Sequence, residues 1–520
     1  MLCKGWLSRF SFMFSMLSWV KWGVRAVAPV VALGGMAHGF SVEALPTHGV
    51  FYAGLQAQPC LRVKVTADAG EKLTQLSFST SGSSKNAIAA AWLYRSSTPF
   101  FSLHAEGDAA AQKLGKLSGA GKFVSKSGGV SLQAGANYFW LVYDLAPTAK
   151  GGGKVCGRLK SATDGKGAEL SPAKGLDGSK RADGKTAATP GEIFPYKYRI
   201  APYVRPTFAC AFNQKMFTPE HMKGMTDWIV FGYTHEGPRI TAAHDALLRG
   251  KDLAPACLEL ARSLRGKDKG VRILAGFSCN ERKNPLCGVM HDAEKRRTLA
   301  RHLAELVLSN GYDGVDIDWE YPRENSRFKP RASWRKFALF LAELREELAG
   351  SGASISIAVT TRYDAPNVEV FDGVDFINSM SYGRPGKHST LEDAAVDVAF
   401  LLERKTPPVK IVLGLPFFSR DTHAKHDDNG GCTYSSIVSM FPGLSPSQNT
   451  FRHPESGAEH FFNGASLIKT KCESFVLRKG IGGVCIWAYD TDVPISHPKS
   501  LSKALYSVIS RKGSSKKSSE

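Results

Sequence analysis

The sequence predicts an α/β protein: a (β/α)8 TIM barrel in the C-terminal three-fifths of the chain, preceded by a β-sandwich domain. Three observations predict it. From about residue 193 onward, short apolar runs of strand length alternate with segments apolar at i, i+3, i+4 and i+7, as in a parallel sheet whose faces are covered by helices. Eight such units follow one another within about 300 residues, the size of one barrel. Before residue 160 the period is two, and turns rich in Gly, Ser and Asn separate the strands.

Taken in order, residues 1–44 have the composition of an export signal. Lys4, Arg9, Lys21 and Arg25 precede an apolar stretch at 26–36, small residues follow, and cleavage is expected near Ala44. An uncleaved N-terminal anchor is the alternative, although no run reaches the ~18–20 apolar residues of a spanning helix. The expected location is secreted, periplasmic or cell-surface. Residues 45–160 form the sandwich, with period-two strands at 61–65 and 74–79 and a dense aromatic strand at 137–144 whose Phe139 and Trp140 belong to its core. Residues 161–192 are Gly, Lys, Asp, Ala and Ser without apolar periodicity, a flexible linker. The barrel spans 193–511, with strands at 207–212, 227–232, 271–276, the acidic strand around 314–320, 354–359, 374–380, 410–415 and 483–487. A basic tail, 512–520, closes the chain.

The formal net charge is +20. No helix-turn-helix, zinc or aromatic RNA-binding signature is present, so a nucleic-acid partner is not expected. Attraction to an anionic cell envelope is compatible with the charge. The ten cysteines suit export: Cys279 with Cys287, or Cys60 with Cys156, could form disulfides, while Cys485 reads as a small buried hydrophobe. No metal-ligand spacing or cofactor motif is present, and the oligomeric state is left open.

The chemistry concentrates in Asp316-Ile317-Asp318-Trp319-Glu320. In a strand, a period of two puts the three carboxylates on one face and Val315, Ile317 and Trp319 on the other. Carboxylates stacked about 7 Å apart repel one another, a cost tolerated mainly where shifted pKa values serve catalysis. A calcium loop would place turn residues and Gly between its acids, not Ile and Trp.

Asp313, Asp316, Asp318 and Glu320 match without substitution the Asp-x-x-Asp-x-Asp-x-Glu signature of family 18 glycoside hydrolases, the chitinase family, and the chain resembles that family across its C-terminal three-fifths. Met380-Ser381-Tyr382 is similar to the family's sixth-strand Met-x-Tyr, 414–420 to its seventh-strand Gly-Ile-Pro-x-Tyr-Gly-Arg, and 482–487 to its last-strand Gly-Gly-Val-Met-x-Trp. Gly135, the strand at 137–144 and Pro147-Thr148-Ala149 resemble a β-sandwich module found beside the catalytic domains of secreted sialidases. The chain departs from the family at Gly276-Phe277-Ser278-Cys279 for Ser-x-Gly-Gly, at Gly383 for the Asp after Met-x-Tyr, and at Phe418-Ser419 for Tyr-Gly.

The resemblance implies hydrolysis of β-1,4 bonds in glycans of N-acetylglucosamine, with the substrate's own acetamide as nucleophile. Glu320 would be the acid, Asp318 the acetamide holder, Asp316 its proton-sharing partner, and Tyr382 the donor that aims the acetamide oxygen. Trp487 would be the floor under the sugar, with Met380, Phe231 and Arg420 as further substrate contacts, and Asp313 would be structural. Chitin, peptidoglycan and the N-glycan core all carry the required group, and the departures leave the choice open. The competing function is a glycan-binding adhesin or lectin on the same barrel.

Overall fold

A computed structural model describes residues 40–511 except 48, 120, 126–127, 172–190, 213–215, 269, 284, 323–327, 363–365 and 424–430, together with the backbone of 513–514. Eight parallel strands close a barrel: β1 (Arg199–Val204), β2 (Asp227–Glu236), β3 (Arg272–Asn280), β4 (Gly314–Glu320), β5 (Ser354–Val359), β6 (Phe376–Ser379), β7 (Ile411–Pro416) and β8 (Gly483–Trp487). Each pairs with its sequence neighbour, and β8 returns to β1 through Arg199 opposite Gly483. Helices α1 (Ala254–Arg265), α2 (Ala293–Ser309), α3 (Pro330–Glu347) and α4 (Leu391–Glu403) cover the outside.

Local chemistry starts these helices where they begin. The Asp292 carboxylate accepts from the backbone N–H of Glu294 and Lys295 ahead of α2, and Pro330 opens α3 where its missing N–H costs nothing. Outward residues of the strands meet the helices: Trp319 is 1% exposed, packs at 5.1 Å from Trp334 and 5.3 Å from Phe337, and donates from Nε1 to Glu281 at 2.7 Å. Inward residues, among them Ala201, Tyr203, Ile229, Phe231, Ala358 and Met380, fill the barrel itself.

The first strand differs from the expectation. Phe208–Phe212, expected as strand, is a π-helical turn, and β1 lies earlier, at Arg199–Val204. Arg199 and Pro202 hide that strand in the sequence, because a charge and a proline both argue against a central position. Here Arg199 is 1% exposed, donates to Asp227 at 2.7 Å and sits 3.8 Å from the centre of the Phe376 ring. Burial alone would raise the Asp227 carboxyl, but Arg199 and Arg272 hold it below its ordinary value.

Ahead of the barrel, five strands pair in the order Ser41–Pro46, Gln58–Ala67, Gly135–Leu145, Ile88–Ser96, Gln112–Lys116, and a second sheet is built on Lys72–Ser79 and Arg158–Asp164. Their shared core contains Phe139, while Trp140 is 2% exposed in a smaller cluster. Two expected boundaries move. Ala44 lies inside a paired strand and is fully buried, so cleavage there would cut the sandwich core. Residues 158–164 and 169–170 are strands, so the linker does not begin at 161, and 172–190 lies outside the described residues. The rest of the expected leader and the tail 515–520 also fall outside them.

The sandwich docks on the barrel's N-terminal end. Tyr52 donates to the Asp375 carbonyl at 2.9 Å, Arg62 pairs with Glu346 at 2.9 Å, and Ser102 donates to Asp372 at 2.6 Å. All nine described cysteines are thiols, which corrects both expected disulfide pairings. The Cys279 thiol points at the Asp318 carbonyl (3.7 Å) and the Cys287 thiol at the Ser333 hydroxyl (3.6 Å), so each is engaged away from the other. Among the described residues no helix is long and apolar enough to cross a membrane.

Candidate active site

The acidic face of β4 points into the barrel. Gly276, Ser278 and Asn280 of β3 stand opposite Asp316, Asp318 and Glu320, and Ser356 and Ala358 of β5 flank the first two from the other side. Small neighbours on both sides leave room for carboxylates where a barrel interior ordinarily holds branched apolar residues. The inward positions of the departing segment on β3 are Gly276 and Ser278, while Cys279 faces outward.

Asp316 lies deepest and is fully buried. Its Oδ1 accepts from Ser356 (2.6 Å) and Asn378 (3.0 Å), and its Oδ2 from Tyr203 (2.8 Å). Burial pushes its carboxyl up to about 6 against the pull of those three donors. The Asp318 carboxyl is raised as well, first by burial and then by the charges of Glu320 and Asp316. The side-chain partner of Asp318 is Glu320. Asp316 was expected to share a proton with Asp318; here both its oxygens are committed to neutral donors, so that bond goes to Glu320. The Asp318 Oδ1 is buried and accepts no hydrogen bond. Burial likewise holds the Tyr382 phenol protonated.

A cleft opens on both sides of Glu320. One half, about 370 Å³, is lined by Arg205, Arg362, Gly383, Phe418 and Arg420 among others; the other, about 560 Å³, by Phe231, His244, Ser278, Asn280 and Asp318 among others. Glu320, Met380, Tyr382 and Trp487 border both halves. Trp487 stands edge-on to Phe231 (4.7 Å) and Tyr203 (5.7 Å), which fixes its ring. Of the eight expected site residues, seven line the cleft and Asp316 lies beneath it. The peptide bonds Glu320–Tyr321 and Trp487–Ala488 are cis. Asp313 lies apart from the cleft, accepting from Arg265 (2.8 Å) and the Ile273 N–H (2.9 Å).

Sequence reasoning missed the three residues that clamp Asp316, namely Tyr203, Ser356 and Asn378, and the loop arginines Arg205 and Arg362. Parity carries a signal for two of them: Ser356 and Asn378 are polar residues facing inward beside the acidic strand's side of the barrel. Gly414, which opens the seventh-strand resemblance, has a packing role: a Cβ there would lie 2.8 Å from the Tyr382 ring, so that only glycine lets the ring seat. Among the described residues no group of three His, Cys, Asp or Glu side chains is arranged to hold a metal.

The elevated Asp316 carboxyl makes a stability prediction. A folded-state pKa raised from 3.8 to about 6 favours folding fully below about pH 4, and the contribution is lost as pH rises through about 6. Over that window wild type should lose up to about 3 kcal/mol relative to Asp316→Asn, roughly two pH units at about 1.36 kcal/mol each. Urea unfolding of both proteins from pH 4 to 7 measures it, and a flat difference contradicts a protonated Asp316.

Residues 217–492, more than half of the chain, match the model of glycosyl hydrolases family 18. The chain belongs to that family. The match begins after β1, the strand that the sequence reading misplaced. Chitotriosidase-1 of Mus musculus is 23% identical over 252 residues, 38% of this chain and 54% of that protein. Probable chitinase 2 of Drosophila melanogaster is 29% identical over 146 residues, 24% of this chain and 29% of that protein. The chain thus spans about half or less of the length of these curated relatives. The Group IV chitinase of Ostrinia furnacalis, solved in complex with allosamidin, superposes with a TM-score of 0.50 at 17% identity over 59% of this chain and 98% of its own. At that identity the likeness supports the family 18 barrel fold.

Proposed function

We propose that this family 18 protein is an exported glycoside hydrolase that cleaves β-1,4 bonds of N-acetylglucosamine-containing glycans with retention, using the substrate's 2-acetamido group as nucleophile. The observation that carries the reading is Asp318: its Oδ1 is buried, borders the cleft beside Glu320 and has no donor of its own. A buried acceptor left unsatisfied costs about 1–3 kcal/mol, which an acetamide N–H would recover.

In this reading Glu320 gives its proton to the glycosidic oxygen as the C1–O bond breaks. The acetamide carbonyl oxygen, aimed by the Tyr382 hydroxyl, bonds to C1, and Asp318 accepts the N–H of the oxazolinium that forms. Glu320 then takes a proton from water, whose oxygen attacks C1 and reopens the ring, so two inversions give net retention. Trp487 gives the ring an apolar floor. Chitin, peptidoglycan and N-glycan cores all supply the acetamide, and the chitinase names of the relatives favour a substrate of this class. The composition of residues 1–44 supports export.

Release of new reducing ends from N-acetylglucosamine oligosaccharides, strands of peptidoglycan glycan and a high-mannose glycopeptide tests the reading. Cleavage of at least one is expected; binding without release from all three is the result of an adhesin.

A further inference from the structure

A buried lysine is tied to the chain that leaves β6. Lys471 closes helix α5 (Ala465–Lys471), in the insertion between β7 and β8, and is fully buried. Its ammonium has three N–H groups and meets three acceptors: the Ser389 carbonyl at 3.0 Å, the Ser389 hydroxyl at 2.7 Å and the Asn463 side-chain oxygen at 2.8 Å. The Ser389 hydroxyl gives its own proton to the Ser381 carbonyl at 2.7 Å, so toward Lys471 it can only accept. The Asn463 amide donates to the Ser389 carbonyl at 2.9 Å, which turns its oxygen toward Lys471. The three acceptors around Nζ are thus oriented for a protonated amine.

This chain of bonds ends at Ser381, between Met380 and Tyr382, both of which line the cleft. The Ser381 hydroxyl donates to Asp397 at 2.6 Å, and its N–H to the Ser379 carbonyl at 2.8 Å. Its carbonyl, the group that Ser389 holds, belongs to the peptide that leads into Tyr382. Packing alone would be served better by methionine, which fills a similar length without a charge to strip of water. Burial brings the Lys471 ammonium down to about 7, with Asp393 and Asp397 pulling the other way.

We propose that Lys471 is a positioning residue for the acetamide-assisted step: through Ser389 it fixes the Ser381–Tyr382 peptide, and so the line along which the Tyr382 hydroxyl meets the acetamide oxygen. This rests on the glycosidase reading above. Lys471 lines neither half of the cleft, so it acts on the substrate only through Tyr382. A displacement of about 1 Å in a group that orients a reacting atom can cost about 10²-fold in rate. A lysine that served the fold alone would act on stability, and equally whether or not residue 382 carried a hydroxyl.

The test measures kcat and KM at about pH 6, below the Lys471 value, on whichever of the three glycans above wild type cleaves. Near-UV circular dichroism gives the folded fraction, and kcat is taken per folded molecule. Lys471→Met should lower kcat about tenfold or more and leave KM within about twofold, since the residues that line the cleft are unchanged. In a Tyr382→Phe background the same substitution should change kcat by less than about twofold, because no hydroxyl is left to aim. Ser389→Ala cuts the link to Ser381 and leaves Lys471 two of its acceptors, so it should reproduce both results, and it carries the test if Lys471→Met does not fold. Where wild type releases product, equal losses with and without the Tyr382 hydroxyl, or a kcat within about twofold of wild type in Ser389→Ala, overturn the positioning role and leave the glycosidase reading standing. No product from wild type removes that reading, and this proposal with it.

Discussion

Glu320→Gln is expected to lower turnover by about 10²–10⁴-fold, the usual contribution of a positioned general acid, while oligosaccharide affinity changes little. Gln keeps the shape of Glu and its contacts with the cleft, but it has no proton to give a leaving oxygen and cannot take one from water. Both halves of the proposed reaction use this side chain, so the loss falls on glycosylation and hydrolysis alike. Asp318 and Asp316 cannot replace it: Asp318 is the acetamide acceptor, and Asp316 is closed in by Ser356, Asn378 and Tyr203. Steady-state release of reducing ends, with affinity read from the fluorescence of Trp487 and its neighbours, measures the effect. Wild-type turnover in this variant would falsify the assignment of the acid.

Asp318→Asn should follow with a loss of about 10²–10³-fold in kcat, comparable to removing one oriented group that stabilises a developing charge. The amide can still turn an oxygen toward the acetamide N–H, so ground-state binding should hold to within about tenfold. It cannot supply the negative charge that the oxazolinium requires, and it changes the group bonded to Glu320. The split between kcat and KM distinguishes this role from simple loss of fold. A variant that loses affinity and keeps kcat would make Asp318 a binding residue alone.

The acidic strand was legible because strand parity is local: Asp316, Asp318 and Glu320 alternate with residues that pack outward, and Trp319 shows the same alternation in three dimensions. Most barrel strands were legible for the related reason that strands covered on both faces are continuous apolar runs. The first strand was not, because what permits Arg199 inside a sheet is Asp227, 28 residues away, and the rings of Phe194 and Phe376. The clamp around Asp316 was hidden in the same way. Tyr203 lay in the misplaced strand, and Ser356 and Asn378 acquire meaning only when β5 and β6 are set beside β4. Arg362 follows a strand in a loop, where no periodicity marks a side chain as inward. The sandwich boundaries failed at Ala44 and at 161 because small and polar residues can pair as strands, the first at a sheet edge and the second between two neighbours, without announcing it in composition.

The central claim is that the substrate's acetamide, held by Asp318, is the nucleophile at the end of β4. Time-resolved proton NMR of the glycan that the enzyme cleaves tests it most directly, by recording the anomeric configuration of the first product before mutarotation. The account predicts the β-anomer, and no hydrolysis of the same glycan once the cleaved sugar is N-deacetylated. Initial release of the α-anomer, or equal cleavage of the deacetylated glycan, would contradict it.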